Sequence, residues 1–227
     1  GDGEPVGRFL ILTVAVRDAL TFGDLQAAER HAAEAHGIAT EVGRPVMLWH
    51  SEFLDSMLAL TRGVPAESER LAEHALHIGS ESGQPDALLI FGAQLMMVRW
   101  HQGRMEELVD LLLDTSKAHP DMPVYTAALA YVQSVSGDPA SARTRLAELT
   151  DQGFPFPDDW NWGLACALAA QAAHELHDAD AARLLHDMLS PHRHLVIATG
   201  SACLPAVTHL LGLLAATLGR LDEAASL

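Results

Sequence analysis

"GLLAATLGRLDEAASL", residues 212–227, holds three signals in sixteen positions. An apolar stretch at helical spacing ends at Leu218, a glycine follows at 219, and Asp222 and Glu223 lead into a second Ala-rich stretch. Glycine closes a helix in the left-handed conformation without a Cβ clash, and acidic residues suit the positive end of the next helix. The stretch therefore reads as a helix, a tight turn and the start of a second helix. The same break recurs upstream in "FGDLQAAE", "RGVPAESE", "QGRMEELV", "SGDPASAR" and "HDADAARL". The pivots are Gly23, Gly63, Gly103, Gly137, His177 and Gly219, spaced by 40, 40, 34, 40 and 42 residues. Such self-similarity is the mark of stacked helix pairs.

A second set of stops, "EVGRP", "ESGQP", "AHPDMP" and "DQGFPFP", ends the second helix of the first four pairs. Together the breaks predict helices over about 6–21, 24–42, 46–61, 65–82, 86–102, 104–118, 123–136, 139–151, 158–176, 179–189 and 203–218, with a last one starting near Leu221. "LSPHRHLVIATGSACLP" interrupts the pattern. It is long for a link within such an array, and "LVIATG" reads as an extended piece that either lines a pocket or, as expected here, covers the last helix pair.

Composition agrees with an all-α chain. Hydrophobic residues make up 49% but aromatics only 5%. Ala and Leu therefore fill the core, as suits close-packed helices. The 14 basic and 30 acidic residues give a net charge of -16, which repels phosphate backbones and anionic lipids and counts against nucleic-acid and membrane partners. Two cysteines, Cys166 and Cys203, are too few for a disulfide framework and, on their spacing from the pivots, too far apart to bridge. With no spanning helix and no signal peptide indicated, the expected compartment is the cytoplasm.

Five residues past most pivots stands a small side chain: Ala28, Ser68, Ala142, Ala182 and Ala224, with Leu108 the exception. Gly212, seven residues before the last pivot, permits the same close crossing from the opposite helix. This combination, above all "GLLAATLGRLDEA", resembles the tetratricopeptide repeat. The longer units, and "LVIATGSACLPAVTHLLGLLAATLGRLDEA" in particular, resemble the C-terminal helical regions of large actinobacterial regulators of the LuxR-type or cyclase-linked kind. The resemblance implies an α-solenoid of about six helix-turn-helix repeats in a right-handed superhelix. Residues 1–227 would form a single such domain, a fragment of a longer multidomain protein. The truncated last helix would leave apolar surface of the last pair uncovered, with Leu210, Leu214 and Leu218 fraying or partly covered by a neighbouring chain.

Chemistry-bearing clusters are few. Five of the 13 histidines, His174, His177, His186, His192 and His194, crowd "HELHDADAARLLHDMLSPHRH". His174 and His177 share a helix face, but Asp178 stands where a HExxH zinc site needs its second histidine, so solvated or capping roles are expected. A metal-dependent hydrolase is the outlying alternative. No nucleophile or carboxylate pair presents a catalytic arrangement, and no cofactor motif occurs.

By resemblance, the first helix of each repeat lines a concave face. That geometry nominates Phe53, Met57, Met97, Trp100, His101, Tyr131 and Gln171 as a partner-binding groove. Thioethers beside flat rings suit an apolar helix or an organic molecule. The competing expectation is that these side chains fill the core. The reading from sequence is thus a non-catalytic scaffold or sensor module for a protein partner or for other domains of the same polypeptide, with a small-molecule effector as the alternative.

Overall fold

In the computed structural model, which describes residues 3–227, the chain is all-α apart from one small hairpin. The helices are α1 (Gly3–Thr21), α2 (Leu25–Val42), α3 (Pro45–Thr61), α4 (Pro65–Glu81), α5 (Ala87–Gln102), α6 (Val109–Ala118), α7 (Pro123–Val135), α8 (Pro139–Asp151), α9 (Trp162–Glu175), α10 (Ala179–Leu189), α11 (Val207–Thr217) and α12 (Leu221–Ser226). Strands β1 (Val196–Ala198) and β2 (Cys203–Ala206) form a two-stranded sheet. Most boundaries fall within a residue or two of the sequence expectation. Helix α1 begins at Gly3 rather than 6. Three others differ. Helix α9 starts at Trp162 rather than 158, because Asp159 first turns the chain by accepting the Asn161 amide on its carboxylate and the Trp162 amide on its carbonyl. Residues 203–206 are strand rather than the opening of α11. Residues Met105–Leu108, ahead of α6, form a 3₁₀ turn.

Every pivot has the left-handed conformation. Gly23, Gly63, Gly103, Gly137 and Gly219 have φ between 67° and 85°, and His177, without a glycine's freedom, has φ 54°. At five of them the next residue's amide reaches back to the carbonyl five positions earlier, as in Asp178 to Ala173 at 2.9 Å. Where that next residue is Asp, it also opens the second helix. Asp24, Asp138 and Asp178 accept hydrogen bonds from the amides of Ala27, Ser141 and Ala181. Stop and start are thus written in two adjacent residues.

Close crossing beside the pivot depends on two positions, seven before and five after it. Ala130 faces this role with Ala142, Ala170 with Ala182 and Ser56 with Ser68, all fully or nearly fully buried. The Ser56 hydroxyl donates to the Ser68 carbonyl at 2.8 Å, so the serine pair crosses without leaving a polar group unpaired. At the last pair, a Cβ on Gly212 would stand 3.6 Å from the Ala224 carbonyl. Short though it is, α12 packs on α11, and Leu210 and Leu214 are fully buried. The expectation that they lie partly uncovered is corrected; Leu218 is half-buried. Only the third pivot is flanked by large residues, Met96 and Leu108, and there the second helix begins as the 3₁₀ turn.

By internal packing the chain groups into two compact units. Among the described residues, the first comprises residues 3–103 and 198–203, the second residues 104–197 and 204–227. In the first, α1 pairs with α2 and α3 with α4, while α5 packs on α3 and α4. One core cluster there holds Val16, Leu20, Trp49, Phe53, Met57 and Leu58, with Ala28, Ala32, Ala75 and Ala87 admitting the neighbouring helices. In the second, α7, α9 and α11 contact one another in sequence, each with its partner helix alongside.

Two glycines of the first unit give a paired test. A Cβ on Gly79 of α4 would meet the Ala87 Cβ at 2.7 Å and the Trp49 indole nitrogen at 2.8 Å, whereas one on Gly37 of α2 would meet nothing within 4 Å. Gly79→Ala should destabilise by about 1–3 kcal/mol through overpacking. Gly37→Ala should stabilise by roughly 0.5–1 kcal/mol through helix propensity alone. Urea denaturation of the two variants checks the opposite signs.

Candidate functional site

The residues nominated for the groove fall in both units. Phe53, Met57, Met97, Trp100 and His101 belong to the first, Tyr131 and Gln171 to the second. Phe53, Met57, Met97, Tyr131 and Gln171 are all buried, between 1% and 8% exposed. Trp100 is half-buried and His101 exposed. The buried five do not line an open face. Phe53 and Met57 belong to the core cluster of the first unit, against which Ile90 packs. Burial pushes the Tyr131 hydroxyl pKa up to about 12, helped by the nearby Glu175 carboxylate, so it is a neutral packed phenol rather than a reactive one.

What covers part of the first unit's face is the hairpin tip. Ala198 and Cys203 pack on the cluster that contains Phe53 and Met57. The Thr61 hydroxyl hydrogen-bonds the Cys203 sulfur, while burial raises the thiol's pKa. The tip residues Thr199, Ser201 and Ala202 are themselves buried, and Gly200 at its apex is exposed. The segment expected to cover the last helix pair thus contributes its six central residues to the other unit. Its flanks stay in the second, where Ile197 lies against Gly163 so closely that a Cβ there would be 2.8 Å from a methyl group.

Gln94 holds the tip. Its amide nitrogen donates to the Phe53 carbonyl at 2.6 Å and to the Ser201 carbonyl at 3.1 Å. Two carbonyl acceptors fix the amide orientation, because the flipped group would set oxygen against oxygen. The Gln94 side-chain oxygen is buried and has no partner among the described residues, a state that costs about 1–3 kcal/mol. Gln94 stands nine residues before its pivot, outside the positions the repeat resemblance nominates. The signal that marks it in the sequence is a lone amide inside the apolar run "LLIFGAQLMMV".

Beside this face, His50 is enclosed by rings. It lies 4.4 Å from Phe53 and 5.7 Å from Phe9, centroid to centroid. Burial lowers its pKa to about 4. On α3, Glu52 and Asp55 meet histidines of the flanking helices: His36 Nδ1 is 2.8 Å from Asp55, and His74 Nδ1 is 3.1 Å from Glu52. The second contact is an attraction without hydrogen-bond alignment, since that Glu52 oxygen has no bonded partner among the described residues. Burial raises the Asp55 pKa against the opposing pull of His36.

The histidine-rich segment is dispersed. His174 bonds the Thr217 hydroxyl, His177 is a pivot, His186 bonds Glu223, and His192 stacks edge-on against Trp162. Among the described residues no three His, Cys, Asp or Glu side chains are grouped to hold a metal ion. Cys166 and Cys203 are not joined in a disulfide, and burial raises the Cys166 pKa to about 12. A shallow depression of about 50 Å³ in the second unit, between Asp121, Phe156, Asp159 and Trp162, has room for a few waters but not for an organic molecule. No helix among the described residues is long and apolar enough to cross a membrane. The chain matches no model of a known protein family, no curated protein and no solved structure.

The buried imidazole sets a pH dependence. His50 stays neutral in the fold but takes up a proton in the unfolded chain, so its contribution to stability is full above about pH 6.5 and is lost as the pH falls towards 4. The loss is on the order of 3 kcal/mol. His50→Phe keeps a ring against Phe53 and should narrow the stability gap between neutral and acid solution by about that amount, read from urea denaturation near pH 7.5 and near pH 4.

Proposed function

We propose that this chain is a non-catalytic helical scaffold of the tetratricopeptide-repeat type, whose inner faces recognise a protein segment. The observation that carries the reading is the seat of residues 198–203. In the first unit, Ala198 and Cys203 of a non-helical stretch pack on the core cluster that contains Phe53 and Met57, Thr61 bonds the Cys203 sulfur, and Gln94 bonds the backbone of the stretch. A face that grips backbone and small side chains in this way is suited to peptides. The left-handed pivots and the small crossing residues support the repeat-type reading. The resemblance of the repeat segments to bacterial signalling regulators is the ground for the setting we propose, a cytoplasmic interaction or sensor arm, and two cysteines outside any disulfide accord with a reducing compartment.

Binding of an organic effector is the rival, and the small depression in the second unit does not favour it. Selection of random peptides displayed on phage against the folded chain separates the two. The scaffold reading expects enriched sequences that bind saturably, about one per chain by titration calorimetry, and that ignore the heat-unfolded protein. A selection that enriches nothing, alongside a metabolite that raises the melting temperature, would replace this reading with a small-molecule sensor.

A further inference from the structure

We infer that residues 198–203 are a built-in occupant of a peptide site on α3 and α5, and that an extended segment of a partner protein, rich in small residues, displaces them. The inference rests on the scaffold reading and adds the location of the site, the chemistry of its ligand and the device that keeps it closed.

Three features separate the tip from ordinary core. First, it is self-contained. Thr199 closes the turn by exchange with Ala202, its amide donating to the Ala202 carbonyl at 2.8 Å and its hydroxyl accepting the Ala202 amide at 2.9 Å. The tip can therefore leave as a unit, with its own backbone bonds intact. Second, it is lightly held. "ATGSAC" brings small side chains to the core cluster that contains Phe53 and Met57, and its polar anchors there include the Gln94–Ser201 bond and the Thr61–Cys203 contact. Little apolar area is available to hold so small a segment.

Third, the face asks for more than the tip supplies. A carboxamide can meet an extended chain at two points, donating to a carbonyl and accepting an amide. Gln94 donates to Ser201, but its oxygen is buried and without a partner among the described residues. A peptide that offers both groups of one residue satisfies both atoms. Small side chains on that peptide are required for the reason the tip has them, since one Gln94 amide nitrogen reaches both the Phe53 carbonyl and the Ser201 carbonyl and so holds the segment close to α3. Adaptable Met57 then adjusts to differences in sequence.

The probe is a labelled peptide of residues 195–206 carrying Cys203→Ser, its binding read by fluorescence anisotropy. It is offered to three forms of the chain. In the first, residues 198–203 are replaced by Asn-Gly, a two-residue turn that closes Ile197 on Leu204. The second is the unaltered chain. The third is Thr61→Cys, in which the new thiol sits against Cys203 and locks the tip by a disulfide under oxidising conditions. Removing the tip frees the site from its tethered competitor, so the trimmed form should bind about tenfold or more tightly than the unaltered chain. The oxidised lock should not bind, and reduction should restore the unaltered chain's affinity. Gln94→Leu in the trimmed form should remove its gain. Should the trimmed form prove unstable, the oxidised-against-reduced comparison decides by itself, because the lock leaves the fold in place. Equal binding by oxidised and reduced forms, or no gain on trimming, overturns the inference. If phage-selected peptides still bind those same forms, the scaffold reading survives and its site lies elsewhere; if no peptide binds any form, both fall.

Discussion

The close crossing of two helices beside each left-handed pivot is the constraint on which the rest of the molecule depends. A turn of two or three residues leaves the helices no freedom to separate, so the residues seven before and five after the pivot must be small or complementary. Ala130 and Ala142, Ala170 and Ala182, and Gly212 and Ala224 meet that demand by lacking bulk. Ser56 and Ser68 meet it by bonding to each other. Where the demand is not met, at Met96 and Leu108, the following helix starts as a 3₁₀ turn and the chain passes from one compact unit to the next. In the first unit the packing of α5 on α3 brings Gln94 to the Phe53 carbonyl.

Most of this architecture is legible in the sequence because its determinants are local. A glycine that needs positive φ, an aspartate one residue later that caps the next helix and an alanine five residues on act within a few positions of one another. His177 shows that the pattern outweighs the residue: Asp178 and Ala182 follow it as they would a glycine, and it adopts the pivot conformation at the cost of a Cβ in the left-handed region. The strand at 203–206 is not legible in this way. "CLPAV" is a short apolar run that suits a strand or a buried helix equally, and what decides it is pairing with residues 196–198.

The seat of residues 198–203, which we propose as the binding face, is less legible still, because it is made by a contact across 107 positions, between Gln94 and Ser201. Helical spacing alone groups Phe53 with Met57, and both are buried. Nothing local indicates that "ATGSAC" packs on their cluster. Burial then changes the chemistry of the neighbourhood: His50 becomes a neutral ring among aromatics, and Gln94 becomes a half-satisfied amide. Both effects follow from desolvation, which no motif encodes.

The most direct test of the crossing constraint is the stability of Ala182→Leu, measured by urea denaturation beside Ala147→Leu at an exposed position of α8. Ala182 is fully buried beside the His177 pivot, in the position opposed to Ala170. The account predicts a loss of about 1–3 kcal/mol or more from forcing the pair apart at Ala182, and little change at Ala147. Unaltered stability of Ala182→Leu would contradict it, showing that the helix pairs tolerate bulk at the crossing and that their order has another cause.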